Sequence, residues 1–285
     1  IHHILAAGAS TEAARLIENT ARQYLMQGEF ATVLRWFNKL PDDLIRQRPQ
    51  LCLIYAWVLV DTGQREIAAG YLDHLETHLP DTGDAQILLG ESYAIRSRIA
   101  VINQDQDQNI HFAQKALDLL PEDMAALRSE ALVDLACAYA AKHDYQKAHQ
   151  VHQQATELSC QTGNLRTSML SLNQLAFLHR EQGLYHQAAQ LYQKGLQLCQ
   201  RIDPPPPLAC WMHHGMGDLS YEWNTLDQAI EQQRLAVKLA EESGEFKMVI
   251  YPRVALAYAL QAQGHTEDAM HVLAKATEVA EKTNL

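Results

Sequence analysis

Histidine is the residue type in this sequence that first suggests chemistry. Fourteen histidines are present, and two pairs have helical spacing: His74 and His78 are four residues apart, and His149 and His152 are three apart. Two imidazoles spaced in this way on one helical face can share a metal ion. Neither pair has an obvious third ligand, so we expect both pairs to lie on solvated outer helices, and we predict no metal site.

The sequence contains no motif that signals catalysis. A phosphate-binding G-x-x-x-x-G-K-[ST] loop, H-E-x-x-H, G-x-S-x-G and zinc-type cysteine spacing are all missing from it. The five cysteines are odd in number, form no C-x-x-C pair and mostly fall among apolar residues. They are typical of small buried hydrophobic residues in a reducing compartment. We therefore predict a cytoplasmic protein that is not an enzyme and needs no cofactor.

Acidic residues outnumber basic ones by 34 to 23, which gives a net charge of -11. Binding to nucleic acid phosphates needs clustered lysine and arginine, so we predict no direct contact with nucleic acid. No window approaches 18 consecutive apolar residues and no signal peptide is visible, so we predict no contact with a membrane. The chain begins without methionine and ends within a predicted helix, and we expect it to be a fragment of a longer protein.

Aromatic and polar residues combine between positions 173 and 258, on what we predict to be the inward face of the helices there. Flat rings with a few fixed polar groups suit a pocket for a small polar molecule or a peptide. The alternative for the rings is that they pack between neighbouring helices. The predicted ligand-binding residues are Asn173, Phe177, Arg180, Trp211, His214, Asp218, Tyr221, Tyr251 and Tyr258. Inward positions earlier in the chain are Leu53, Trp57, Val60, Glu91, Arg98, Val101, Glu130, Val133 and Cys137.

The segment Ser171–Cys199 shows most clearly which elements must position these residues. Its apolar residues recur at helical spacing in two runs that are separated by Gln182-Gly183-Leu184. Gly183 can adopt the left-handed conformation that ends a helix. Ala188 is small where two helices must approach closely. The pattern predicts a tetratricopeptide-type (TPR) hairpin of two antiparallel helices.

This hairpin recurs along the chain. The close-packing positions of the second helices are Val33, Ala68, Asn109, Ala148, Ala188, Ala229 and Ala269, which are 35, 41, 39, 40, 41 and 40 residues apart. The period of about 40 is longer than the 34 residues of a standard TPR. Glycine stands in four of the turns, and His143, Asn224 and Gln104 replace it in the others. We predict an all-α, right-handed superhelical solenoid of about seven hairpins, forming a single domain over 1–285.

Proline and polar residues mark several predicted boundaries. Pro49 should open a helix, where its missing N–H costs nothing. The segment Gln104–Gln108 is predicted to be a polar turn before a helix that starts at Ile110. Pro204–Pro207 is predicted to be a stiff linker, with a short recognition motif as the alternative. Pro252 should kink its helix or delay its start.

One stretch resembles a known family. Leu40-Pro41-Asp42-Asp43-Leu44, Arg48-Pro49-Gln50-Leu51, Ala56-Trp57 and Gly63 form an LP-x-x-L…RP-x-L…AW…G pattern that is similar to the repeat domain of MalT-like regulators, which are LuxR-family signal-transduction ATPases. The flanking Ala6-Ala7-Gly8 and Ala116–Asp123 agree with it. The resemblance is specific from Ile1 to about Asp123 and generic beyond.

The resemblance implies a function. In such regulators a nucleotide-binding module precedes the repeats and a helix-turn-helix domain follows them, so those modules would belong to the parent protein. The repeats act as a sensor arm that binds an inducer or an inhibitory partner and controls nucleotide-dependent multimerisation. We expect the partner, a small-molecule inducer or a regulatory protein or peptide, on the concave face, and self-association is possible. The alternative hypothesis is a peptide- or protein-binding scaffold without a small-molecule inducer.

Overall fold

The computed structural model describes residues 1–6, 8–81, 83–200, 202, 205–243 and 246–282. Over these residues every regular element is helical and no strand occurs. The helices are α1 (His2–Ala6), α2 (Ser10–Met26), α3 (Phe30–Phe37), α4 (Asp42–Arg46), α5 (Pro49–Asp61), α6 (Arg65–Thr77), α7 (Ala85–Ile102), α8 (Gln106–Leu119), α9 (Ala125–Ala141), α10 (Tyr145–Thr162), α11 (Leu165–Glu181), α12 (Tyr185–Cys199), α13 (Cys210–Glu222), α14 (Leu226–Ser243), α15 (Phe246–Ala262) and α16 (Thr266–Lys282).

The helices form the predicted hairpins. Within the described residues there are seven pairs, which are α2/α3, α5/α6, α7/α8, α9/α10, α11/α12, α13/α14 and α15/α16. The chain divides by its internal contacts into two compact units, Ile1–Ser168 and Met169–Leu285. In the first unit, the first helices of successive hairpins pack on each other, α2 on α5, α5 on α7 and α7 on α9. In the second unit α13 packs on α15 in the same way. The all-α hairpin repeat is confirmed, whereas a single domain over 1–285 stays a prediction.

The turns within the hairpins have the predicted backbone conformation. Gly28, Gly63, Gly183 and Gly264 have φ values from 73° to 90°. In the remaining three turns Gln104, His143 and Asn224 have φ values of 58°, 62° and 57°. Each of these turns therefore ends its first helix with one left-handed residue, with or without glycine.

The close-packing positions of the second helices are also as predicted. All seven are buried, and five of them are alanine. Asn109 is the polar exception. Its side-chain oxygen accepts a hydrogen bond from Ser97 Oγ at 2.8 Å, and its amide nitrogen donates to the backbone oxygen of Asp134 at 2.8 Å. A buried amide is tolerated here because both of its polar atoms are paired.

One local prediction was wrong, and two short helices were not foreseen. Helix α8 begins at Gln106 rather than Ile110, because Asp105 caps it by accepting a hydrogen bond from the backbone N–H of Gln108 at 3.0 Å. The short helices α1 and α4 were not predicted at all. Helix α15 starts six residues before Pro252 and continues through it, so the proline does not delay the helix, and the alternative, a kink at Pro252, stays a prediction.

The proline run Pro204–Pro207 is described only in part, because Pro204 lies outside the described residues. Pro206 is extended, with φ -65° and ψ 141°, and Pro207 opens a 3-10 turn that ends at Ala209. The end of the proline run thus enters a first helical turn, as its missing N–H allows. Whether the run acts as a linker or as a recognition motif stays a prediction.

Candidate ligand-binding sites

A cavity of about 300 Å³ lies in the first unit, on the surface formed by the first helices of its hairpins. Helices α2, α5, α7 and α9 contribute to its wall, together with residues around the start of α11. The apolar lining residues are mainly Leu25, Met26, Phe30, Met124 and Leu127. The charged lining residues are Arg22, Asp61, Glu91, Asp123, Glu130 and Arg166. A concave surface that combines apolar residues with a few charged ones is typical of a ligand site.

The first charged contact in the wall joins α2 to α7. Arg22 donates from its two terminal nitrogens to the two carboxylate oxygens of Glu91, at 2.7 Å each. The same guanidinium donates to the side-chain oxygen of Gln50 on α5 at 2.9 Å. Glu91 is buried, so its charge needs this partner. A bidentate ion pair of this kind fixes the relative geometry of the two side chains, and therefore the distance between α2 and α7.

The second charged contact depends on the turn between α10 and α11. Gly163 ends α10 in the left-handed conformation, with φ 67°, and Asn164 caps α11 by accepting from the backbone N–H of Thr167 at 3.2 Å. This turn directs three donors at Glu130 on α9. Asn164 donates at 3.0 Å, Arg166 donates at 2.9 Å, and the hydroxyl of Thr167 also donates. The buried carboxylate of Glu130 is therefore well satisfied.

The charges around Glu130 determine its ionisation. Burial alone would raise the pKa of its carboxyl, but the positive charges of Arg166 and Arg98, together with the hydrogen bonds from Thr167 and Asn164, outweigh burial and lower that pKa. Arg98 also lies 2.9 Å from an oxygen of Asp134, without the alignment of a hydrogen bond. Burial, only partly offset by Arg98, raises the pKa of Asp134 to about 7. Two adjacent carboxyl groups thus have opposite shifts.

Two buried polar atoms belonging to lining residues have no hydrogen-bond partner in the protein. One is the indole nitrogen of Trp57, a residue that is only 6% exposed. The other is Oδ2 of Asp61, whose Oδ1 accepts from Arg166 at 2.7 Å. A buried donor or acceptor without a partner costs about 1–3 kcal/mol, so such atoms are rare and call for an explanation. Both atoms belong to residues that line the cavity, and both are shielded from solvent in the structure.

In the second unit the structure brings together three of the predicted ligand-binding residues, Arg180, His214 and Asp218. Arg180 donates to Asp218 Oδ2 at 2.6 Å. Gln233, which the sequence analysis did not select, donates to Asp218 Oδ1 at 2.9 Å, and its side-chain oxygen lies 2.9 Å from His214 Nδ1. These polar groups therefore already bind one another, and their interactions hold α11, α13 and α14 together.

Two glycines of α13 make room for this network. A Cβ atom at Gly215 would lie 2.1 Å from the ring of Tyr192, and one at Gly217 would lie 2.5 Å from the side-chain nitrogen of Gln233. Neither position can carry a side chain without movement of a buried neighbour. The glycines thus let the side chains of α12 and α14 reach the α13 backbone.

The predicted aromatic residues are mostly exposed. Phe177, Tyr221, Tyr251 and Tyr258 are 45%, 40%, 59% and 64% exposed, and Trp211 and Asn173 are half-buried. The alternative prediction, that the rings pack between neighbouring helices, is wrong for these four. Their exposure leaves them available to a partner, but nothing in the structure assigns them one, so this site stays a prediction.

The histidines do not form a metal site among the described residues, where no group of three or more candidate ligands was found. His74 and His78 stack with their ring centres 4.4 Å apart. The expectation that both pairs are solvated was wrong for His152, which is buried and whose pKa burial lowers to about 4. No helix in the described part of the chain has the length and hydrophobicity to span a membrane.

The five cysteines are free thiols. Cys52, Cys199 and Cys210 are buried as expected, whereas Cys160 is exposed. Burial raises the pKa of Cys52 and Cys199 to about 11.

A family model described as the MalT-like TPR region matches residues 90–285, which are 196 of the 285 residues. The chain belongs to this family. The match covers the part of this MalT-like chain that looked generic in sequence, and the L-P…A-W…G motif precedes it. The first unit's cavity draws residues from both sides of position 90.

Solved structures share the fold of this MalT-like chain. A Rap protein complexed with competence and sporulation factor has a TM-score of 0.69 at 14% identity, covering 95% of this chain and 77% of that one. NprR in complex with its cognate peptide NprX has a TM-score of 0.62 at 15% identity, covering 97% and 79%. A signal-transduction ATPase with a TPR sensor from Pyrococcus horikoshii has a TM-score of 0.69 at 14% identity, covering 95% of this chain and 42% of that one.

The sequence analysis did not select the first unit as the ligand site, although three of the residues that it predicted to face inward, Trp57, Glu91 and Glu130, line the cavity. It missed Arg22, Asp61 and Arg166 entirely. The signal that could have located this site was the presence of charged residues at predicted inward positions of successive first helices. A carboxylate that is buried on such a face requires a cation on a neighbouring helix.

Proposed function

We propose that this MalT-like TPR chain is a ligand-sensing domain, which binds an inducer or a regulatory partner and thereby controls multimerisation of its parent protein. The observation that carries the proposal is the cavity in the first unit. It lies on the surface formed by the first helices, and two of its buried polar atoms have no partner. The family membership and the fold shared with a TPR sensor support the same role.

The position of the cavity explains how a ligand would act. Its wall is built from α2, α5, α7 and α9, so one bound molecule touches four successive hairpins. A ligand shifts a conformational equilibrium only by its difference in affinity for the two states. A molecule that fits one relative arrangement of the four hairpins stabilises that arrangement and disfavours others. The two ion-paired arginines in the wall link the same helices and would move with them.

The surface of hairpins five to seven remains a second proposal. There, the exposed rings of Phe177, Tyr221, Tyr251 and Tyr258 are the residues to test. Arg180 is a poor probe, because its replacement would break the ion pair with Asp218 and perturb the fold. We infer that a protein partner, rather than a small ligand, would use these exposed rings.

The alternative function is a peptide- or protein-binding scaffold with no small-molecule inducer. One observation favours it: the structure of NprR, which has the same fold, contains a cognate peptide. The sensor hypothesis and the scaffold hypothesis differ in the size of the ligand, and both place the ligand in the same cavity.

The experiment compares three fractions of a host-cell extract: metabolites below about 1 kDa, peptides and intact proteins. Each fraction is tested for a rise in the unfolding temperature of the chain, because a molecule that binds only the folded state stabilises it. The active component is then purified and titrated by calorimetry. Its effect on multimerisation of the parent protein is measured by light scattering.

The proposal predicts a purified ligand that both stabilises the chain and changes the mass of the parent assembly. Activity only in the peptide or protein fraction, without an effect on assembly, would support the scaffold. No stabilisation by any fraction would refute a sensing role.

A further inference from the structure

We propose that the cavity of the first unit selects a ligand with a positively charged end and an apolar body. This chemistry occurs in organic amines and in a lysine or arginine side chain of a peptide. The inference rests on the proposed function, because it takes the cavity as the ligand site.

The charge balance of the wall favours a cation. Four carboxylates line the cavity against two guanidinium groups. Both guanidinium groups are already paired, Arg22 with Glu91 and Arg166 with Asp61 and Glu130. An anion would therefore find no uncommitted arginine among the lining residues and would face excess negative charge. A cation would gain from the same excess.

Asp61 and Trp57 define where the ligand's polar groups belong. Asp61 Oδ2 is a buried acceptor without a partner, and it carries negative charge, so an ammonium or guanidinium N–H is its best complement. The indole N–H of Trp57 is a donor without a partner and requires a carbonyl or hydroxyl oxygen. Both residues lie on α5, four positions apart, and thus on one face of that helix.

The apolar part of the wall complements the rest of the ligand. Phe30, Met26 and Leu127 represent it, and Met side chains adapt to irregular shapes. The guanidinium of Arg166 already lies 5.2 Å from the ring centre of Phe30, which shows that this wall accommodates a cation over an aromatic face. A molecule with an aliphatic or aromatic body and a basic end fits both parts.

The first experiment tests the sign of the charge on the wild-type chain and needs no variant. The probes are 4-phenylbutylamine, 4-phenylbutanol and 4-phenylbutanoate, which share one body and differ in the polar end. Binding is measured by ligand-observed NMR and calorimetry. We expect the amine to bind at least about tenfold more tightly than the alcohol, as a charge-assisted hydrogen bond in a buried site implies. Equal binding of the three probes, or preference for the acid, would overturn the inference.

The second experiment tests the location. Asp61→Asn should weaken amine binding about tenfold, because the amide keeps the shape but loses the charge. The matched control is Asp73→Asn, which also removes an aspartate ion-paired to an arginine, Arg96, but lies outside the cavity. Unfolding curves check that both variants fold. If Asp61→Asn does not fold, Asp123→Asn replaces it in the experiment. Asp123 is an exposed lining residue, so its charge is screened by solvent and its replacement should weaken amine binding only about twofold.

The third experiment distinguishes an amine from a peptide. The probes are acetyl-Leu-Lys-Phe-amide and the same peptide with norleucine in place of lysine. Trp57→Phe should weaken binding of the lysine peptide about fivefold, because the variant lacks the indole N–H that would donate to a peptide carbonyl. It should leave the affinity for 4-phenylbutylamine unchanged. Trp36→Phe, outside the cavity wall, is the control and should change neither.

The outcomes separate this inference from the proposed function. A purified host ligand that is neutral or anionic, yet stabilises the chain and alters the parent assembly, would refute the inference and leave the function standing. Amine binding that is unaffected by both Asp61→Asn and Asp123→Asn would refute the location.

Discussion

Gly215 of α13 provides the sharpest test of how neighbouring hairpins pack. Gly215→Ala adds one methyl group, which would lie 2.1 Å from a ring carbon of Tyr192. Ordinary contacts are 3.4–4 Å, so the ring must retreat by more than 1 Å. Tyr192 is only 2% exposed, and retreat would force its neighbours to move. Overpacking of this kind costs about 1–3 kcal/mol of stability. Because the ring is rigid and buried, we expect a cost of about 3 kcal/mol here.

Gly70 of α6 is a matched control. It is also the sixth residue of a helix of 13 residues, but a Cβ atom there would have no neighbour within 4 Å. Replacing a helical glycine by alanine gains about 1 kcal/mol through helix propensity at both positions. Gly70→Ala should therefore stabilise the chain by about 1 kcal/mol, and Gly215→Ala should destabilise it by about 2.

The assay is equilibrium urea unfolding followed by circular dichroism. Hydrogen exchange of amides in α12 and α13 locates the effect, since repeat proteins need not unfold in one step. In a Tyr192→Ala background the ring is gone, and Gly215→Ala should no longer destabilise. If Gly215→Ala is as stabilising as Gly70→Ala, the packing of α12 against α13 described above is wrong.

Three further predictions concern single buried or strained residues. Burial raises the pKa of Asp134 from 3.8 to about 7, so the folded state holds this proton more tightly and the aspartate's contribution to stability falls as pH rises from about 4 to about 7. The free energy of unfolding of Asp134→Asn should exceed that of the wild type by about zero at pH 4, and this excess should grow by up to about 1.4 kcal/mol per pH unit up to about pH 7. An excess that does not vary with pH would contradict the prediction. Asn109→Ala introduces the alanine that five of the other repeats carry at this position. It should nevertheless destabilise the chain by about 2–3 kcal/mol, because Ser97 Oγ and a backbone carbonyl lose their partner; urea unfolding that shows stabilisation would refute the pairing. Gln104→Gly should raise the free energy of unfolding by up to about 1 kcal/mol, because glycine adopts the left-handed φ of 58° without strain. Asn224→Gly should give a smaller rise, since asparagine tolerates this conformation. Equal rises for the two variants would argue against this explanation.

The fold could be predicted from the sequence because each hairpin carries its own local signals. A left-handed residue ends each first helix and a small residue marks each close approach, so the period is visible without tertiary information. Local chemistry also explains the failures. Asp105 caps α8 earlier than the apolar pattern suggests, and α4 is a single turn held by the contact between Asp42 and Arg46 at 2.7 Å. Such short-range polar contacts leave no periodic trace.

The candidate site could be predicted only in part, because it depends on pairing between distant residues. Arg22 and Glu91 are 69 positions apart, and Asp61 and Arg166 are 105 apart. The helical period gives the face of each residue but not its partner on another hairpin. The same limit explains hairpins five to seven, where Arg180 and Asp218 face each other. A polar residue on an inward face thus indicates either a ligand or an internal ion pair.

Hydrogen exchange measured with and without the purified host ligand tests the central claim most directly, because it compares both candidate sites in one experiment. The cavity predicts slower exchange in peptides that cover residues 22–30, 50–61, 123–130 and 162–166. Protection confined to residues 173–180, 211–221 and 251–258 would contradict the assignment of the ligand to the first unit.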